Sequence, residues 1–146
     1  MNFGNCISTI YLSQLELKDT FISSTEVCYL DTNIKTGNVT TPSHISIYDK
    51  RDDFAFWIVN FPHMDSNIPA NPAYGVYISQ LVRYARICTT KVDFINRLRG
   101  LSLRLRQQSF EATRLQTLFN KFINCHGLIV KKYGAALWEM RLAIQA

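Results

Sequence analysis

The chain has 146 residues, 47% of them apolar, and a formal net charge of +5. That is enough apolar material for one domain, or two small subdomains sharing a core, and too much for a disordered tail. No run of about 18 uninterrupted apolar residues appears, which argues against a membrane-spanning helix. The start, Met1-Asn2-Phe3-Gly4-Asn5-Cys6, lacks the basic and apolar regions of a secretory signal, so an intracellular protein, nuclear or cytoplasmic, is expected.

The charge is unevenly placed. Residues 1–72 carry four basic side chains against eight acidic ones. From Ala73 onward twelve basic residues, eight of them arginine, face only Asp93, Glu111 and Glu139. A concentrated arginine surface is the electrostatic footprint expected of a polyanion binder, most often one for nucleic acid.

In the acidic half, Gln14-Leu15-Glu16-Leu17-Lys18 alternates apolar and polar residues, and Glu26-Val27-Cys28-Tyr29-Leu30-Asp31 suits a pleated surface. Both segments predict short strands. Residues 33–43, with Gly37, Asn38 and Pro42, read as a turn-rich stretch. After it, His44-Ile45-Ser46-Ile47-Tyr48 predicts another strand with Ile45 and Ile47 on one face, completing a two- or three-stranded antiparallel sheet. Pro62, Pro69 and Pro72, interspersed with asparagines, mark a connection over residues 61–72.

The basic half changes period. Tyr74, Ile78, Leu81, Ala85 and Cys88 form one helical stripe with Arg83 and Arg86 turned away. Phe94, Leu98, Leu101 and Leu105 form a second, flanked by Arg97 and Arg104 on one side and by Arg99 and Arg106 on the other. Leu115, Leu118, Phe119 and Phe122 form a third, running on to Ile129 past a kink or cap at Gly127 and ending at Gly134. Residues 135–146 add a short closing helix through Leu137, Met140 and Ile144. The predicted fold is therefore α+β, a small antiparallel sheet followed by a three- or four-helix bundle. Its parts are a β segment over residues 1–60, the proline-rich connection over 61–72, and a basic helical bundle over 73–146.

Few residues suggest catalysis. Asp52-Asp53 is the one adjacent carboxylate pair, yet neighbouring strand residues point to opposite faces, so a solvated or arginine-paired turn is expected rather than a two-metal centre. His44, His63 and His126 lack metal-ligand spacing, and there is no G-x-S-x-G elbow. The cysteines, Cys6, Cys28, Cys88 and Cys125, include no C-x-x-C pair and read as buried reduced thiols. No catalytic or metal-binding residue is assigned. The arginine face is different, because guanidinium groups grip phosphate bidentately without reading sequence. Arg83, Arg86, Arg97 and Arg104 are the expected phosphate contacts, with Gln80 and Tyr84 in support and Tyr77 nearby. Lys50 and Arg51 are expected to pair with Asp49, Asp52 or Asp53.

The runs Tyr48-Asp49-Lys50-Arg51-Asp52-Asp53-Phe54, Ile58-Val59-Asn60-Phe61-Pro62 and Ser66-Asn67-Ile68-Pro69, then Pro72-Ala73-Tyr74-Gly75-Val76-Tyr77-Ile78-Ser79-Gln80-Leu81-Val82-Arg83-Tyr84-Ala85-Arg86, resemble the C-terminal part of mobile-element (retrotransposon) reverse transcriptases. The resemblance extends upstream through Leu15-Glu16-Leu17-Lys18-Asp19-Thr20 and Tyr29-Leu30-Asp31, and downstream through Asp93-Phe94, Lys121-Phe122 and Tyr133. It implies that the strands are the end of a polymerase palm and the basic helices a thumb that grips a primer–template RNA/DNA duplex. The palm's Tyr-x-Asp-Asp motif is absent from the chain, so the resemblance implies a fragment of an RNA-directed DNA polymerase without activity of its own. Magnesium would belong to the parent enzyme and no cofactor to this chain, with the missing palm as a partner. Leu12, Trp57, Ser109 and Asn124-Cys125-His126 depart from the family pattern. Ser109 replaces a glycine, so a positive φ there would strain the turn between the second and third helices. A stand-alone helical protein-interaction module and a translated relic without function are the alternatives.

Overall fold

The computed structural model describes residues 21–56, 58 and 61–133. The expected strand at 14–18, Cys6, Gly134 and the expected closing helix at 135–146 lie outside these residues.

Four strands form an antiparallel meander, β1 (Phe21–Ser23), β2 (Glu26–Tyr29), β3 (Thr32–Lys35) and β4 (His44–Ile47), in sequential order. Among the described residues the sheet has two strands beyond those expected, β1 and β3, the latter because residues 32–35 extend out of what reads as a turn-rich stretch. Val27 opposite Ile34 supplies an apolar cross-strand pair, and Ile34 opposite Ile45 supplies the next. On the other face Glu26 accepts from Asn33 Nδ2 at 2.6 Å and pairs with Lys35 at 3.3 Å. Leu30 and Asp31 form the two-residue loop between β2 and β3, with Leu30 in the left-handed region at φ 54°.

Three helices follow, α1 (Ala70–Ile87), α2 (Lys91–Arg106) and α3 (Ala112–Val130). Helix α1 starts three residues before the expected boundary at Ala73. Pro72 is tolerated in its first turn because that turn's N–H groups have no intrahelical partner. Thr90 caps α2, its hydroxyl accepting the Asp93 N–H at 3.3 Å while the Asp93 carboxylate takes the hydroxyl hydrogen. The predicted stripe of α2 is buried at all four positions, Phe94, Leu98, Leu101 and Leu105. In α1 the buried face is shifted: Tyr77 and Tyr84 are buried, whereas Ile78 is half-buried. Leu115, Phe119 and Phe122 bury on α3, and the kink falls at His126 (φ −122°, ψ 27°), one residue before Gly127. None of the described helices is long and apolar enough to cross a membrane.

The core lies between the helices, and among the described strand side chains only Ile47 is fully buried in it. Tyr133 closes its far end by stacking on Phe94 at 5.0 Å and donating its hydroxyl to Cys88 O at 2.7 Å and Ala85 O at 3.0 Å. Of the cysteines, Cys88 is buried as expected, Cys28 is half-buried and Cys125 is exposed.

Ser109 takes φ 63° in the turn between α2 and α3, the positive φ whose cost the sequence raised. The turn holds Phe110 against Tyr74 at 4.9 Å, and the Glu111 N–H donates to the Tyr74 hydroxyl at 3.0 Å. Ser109 Oγ in turn lies 3.2 Å from His63 Nε2, an exposed contact of small worth. Ser109→Gly should therefore raise unfolding stability by roughly 0.5–1 kcal/mol in urea denaturation, since glycine adopts this φ without a Cβ clash.

Candidate nucleic-acid interface

The segment after β4 is the centre of the charge arrangement. The Ile47 strand end leads into a 3-10 turn, Lys50–Asp53, whose first free N–H groups are met by the preceding Asp49. Asp49 Oδ1 accepts from the Arg51 N–H at 3.1 Å and from Arg51 Nε at 2.7 Å, while Oδ2 accepts from Arg51 Nη2 at 2.5 Å. The expected pairing of Arg51 with Asp49 is present. Arg51 also lies over the Phe61 ring, 5.7 Å from its centroid.

Helix α2 reaches this turn with two arginines seven residues apart, which places them on one side of the helix. Arg104 donates to Asp49 at 3.0 Å and to Asp52 at 2.9 Å, bridging the two carboxylates. Arg97 donates to Asp52 at 2.5 Å and to the Ile47 carbonyl at 2.6 Å, joining the turn to the strand. Asp52 is thus an arginine-paired residue, and Asp53 turns elsewhere to accept the Tyr48 hydroxyl hydrogen. That bond pushes the Tyr48 phenol up to about 12. The two carboxylates do not converge, so they do not fit a shared divalent ion, and no group of three His, Cys, Asp or Glu side chains suited to a metal occurs among the described residues.

These contacts revise the expected phosphate-binding face. Arg83, Arg97 and Arg104 are not opposed by Asp93 alone, because the Asp31, Asp49 and Asp52 carboxylates fold back onto them from the acidic half. Tyr84 is 4% exposed and Tyr77 fully buried, so neither ring lies open for a base to stack on. Burial pushes both phenols up. Gln80 sits beside Arg83, its Oε1 3.4 Å from Arg83 Nη1. Arg86 on α1 remains exposed, as does Arg99 on the flank of α2 opposite Arg97 and Arg104.

Among the described residues, concave features border the helices. A polar cleft of about 260 Å³ lies between the β2–β3 turn, the 3-10 turn and α1, where Gln80, Arg83 and Tyr84 come together with Lys50 and Arg51. Sequence reasoning missed Lys50 and Arg51 as neighbours of Gln80, although the basic pair was visible. A second groove, about 400 Å³, runs between α1 and α3 over Tyr74, Ile78, Leu118 and Phe122 with Arg114 and Lys121 at its edge. Arg114 lies over the Tyr74 ring at 4.0 Å.

Comparison with protein-family models, with curated proteins and with solved structures finds no match to this chain.

Burial alone would raise the Asp49 carboxyl, but the bonds from the Arg51 side chain and N–H, with that from Arg104, outweigh it and hold the group well below the usual carboxylate range. A depressed folded-state value contributes stability that is present above the ordinary carboxylate pKa of about 3.9 and is lost as pH falls below it. Asp49→Asn should therefore cost about 2 kcal/mol at pH 7. It should also flatten the loss of stability between neutral and acid pH, both read from urea midpoints across that range.

Proposed function

We propose that this chain is the palm-end and thumb part of a mobile-element reverse transcriptase, and that it holds a nucleic-acid duplex by its backbone through the helical half. The reading rests on the long ordered resemblance, and within it the run from Tyr48 to Asp53 makes the turn that fastens the sheet to the helices. The order of small sheet, charged turn and helical bundle supports it, as do the cations that the acidic half leaves exposed, Arg86 and Arg99 among them. Such a part works inside the cell, in nucleus or cytoplasm, beside a palm that carries the magnesium-dependent chemistry. With no Tyr-x-Asp-Asp in the chain, it grips and does not polymerise.

A second reading, a helical protein-interaction module, is favoured by the apolar groove between α1 and α3. Salt separates the two. Binding of an RNA–DNA duplex should weaken at least tenfold between 50 and 200 mM salt if about four phosphates are contacted, whereas apolar docking should change little. Charge reversal of Arg86 and Arg99 together should weaken duplex binding at least tenfold and lower the salt slope by about two phosphates' worth. Unchanged affinity in that double variant sinks the thumb reading. Arg97 and Arg104 are unsuited to the experiment, because reversing them breaks the bonds to Asp49, Asp52 and Ile47.

A further inference from the structure

We propose that the polar cleft between the β2–β3 turn and α1 seats one phosphodiester group of a nucleic-acid backbone, and that the Asp31 carboxylate occupies that seat until nucleic acid displaces it. The inference rests on the nucleic-acid reading above and names one of its contacts.

The cleft gathers Lys50 and Arg51 from the 3-10 turn, Gln80, Arg83 and Tyr84 from α1, and Asp31 from the β2–β3 loop. Arg83 donates Nη2 to the Asp31 carboxylate, while Gln80 Oε1 lies within reach of its Nη1. A carboxylate and a phosphate present the same pair of acceptor oxygens to a guanidinium fork, so Asp31 sits where a phosphate would bind.

The Arg83–Asp31 pair differs from the α2 pairs in being replaceable. Its side chains are 37% and 50% exposed, at the mouth of the cleft, and an ion pair this open to solvent is worth about 1 kcal/mol at most. Arg104, at 21% exposure, is held by two carboxylates, and Arg97, at 28%, by one carboxylate and a strand carbonyl. The Asp31 backbone is fixed by the Tyr48 N–H, which donates to Asp31 O at 2.9 Å, so the carboxylate can leave by side-chain rotation alone. Asp49, the other acid of the cleft, already faces Arg51 and Arg104. Once Asp31 swings out, the cations Lys50, Arg51 and Arg83 outnumber the one remaining carboxylate.

The test is fluorescence anisotropy of an RNA–DNA duplex at low salt with the full chain and its variants. Asp31→Asn should bind threefold to tenfold tighter than the parent chain, and Arg83→Gln correspondingly weaker with a salt slope smaller by about one phosphate. In the Arg83→Gln background, Asp31→Asn should gain nothing. Asp31→Ser repeats the test without a planar acceptor group while leaving the backbone bond to Tyr48 in place, and a matched melting temperature shows that the fold is retained. A parent chain that binds duplex while both Asp31 variants bind no tighter overturns the seat alone and leaves the thumb reading standing. A gain that survives in the Arg83→Gln background also overturns it, since the effect would then be general charge. Failure of parent and variants alike to bind duplex overturns both.

Discussion

The bond set joining Asp49 and Asp52 to Arg97 and Arg104 is the constraint on which the arrangement of sheet and helices depends. The helices bury their own stripes against one another, but the sheet offers them only Ile47 as a fully buried side chain among those described. A sheet so thinly anchored by apolar contact needs polar bonds to fix its position. Arg97 and Arg104 supply them, and the loop between α1 and α2 adds more: the Thr89 N–H donates to Ile45 O at 2.9 Å and the Ile45 N–H to Thr89 Oγ1 at 3.1 Å. The outer edge of β4 is thereby closed by the helical half, which removes it as a site of strand addition.

This arrangement divides the arginines by use. On α2 the buried stripe runs between two rows, and the row of Arg97 and Arg104 faces the acidic turn while Arg99 on the other flank is exposed. The excess of positive charge in the helical half is thus partly consumed within the molecule, as the net charge of the whole chain already allows. What is left for a polyanion is a smaller and differently placed set of cations. Any contact through Arg83 competes with a carboxylate of the same chain.

The helical half also shows how a locally unfavourable residue is held. Ser109 keeps a left-handed backbone because the turn around it is fixed at several points: Phe110 is buried against Tyr74, the Tyr74 hydroxyl takes the Glu111 N–H, and the Met64 N–H donates to Gln108 O at 3.0 Å. The packing on both sides outweighs the strain at one residue. Leu30 is a different case, since it is 81% exposed and its loop is tied mainly through Asp31.

By itself the sequence determined the elements that depend on local spacing. The stripe of α2, most of those of α1 and α3, the strand at β4 and the order of sheet before bundle were legible because helix and strand periods place apolar residues on one face. The positive φ at residue 109 was raised there too, through the resemblance. The tertiary structure alone decided what lay beyond a few residues' reach. It turned residues 32–35 into a strand, because β2 and β4 offered partners on both sides, and it buried Tyr77 and Tyr84, because the sheet and α2 cover a face of α1 that the stripe alone leaves to solvent. It also brought Asp31, Asp49 and Asp52 onto arginines 45 to 55 residues away. Charge counted along a chain reports composition, whereas pairing depends on which surfaces meet, and only the packed sheet and helices fix that.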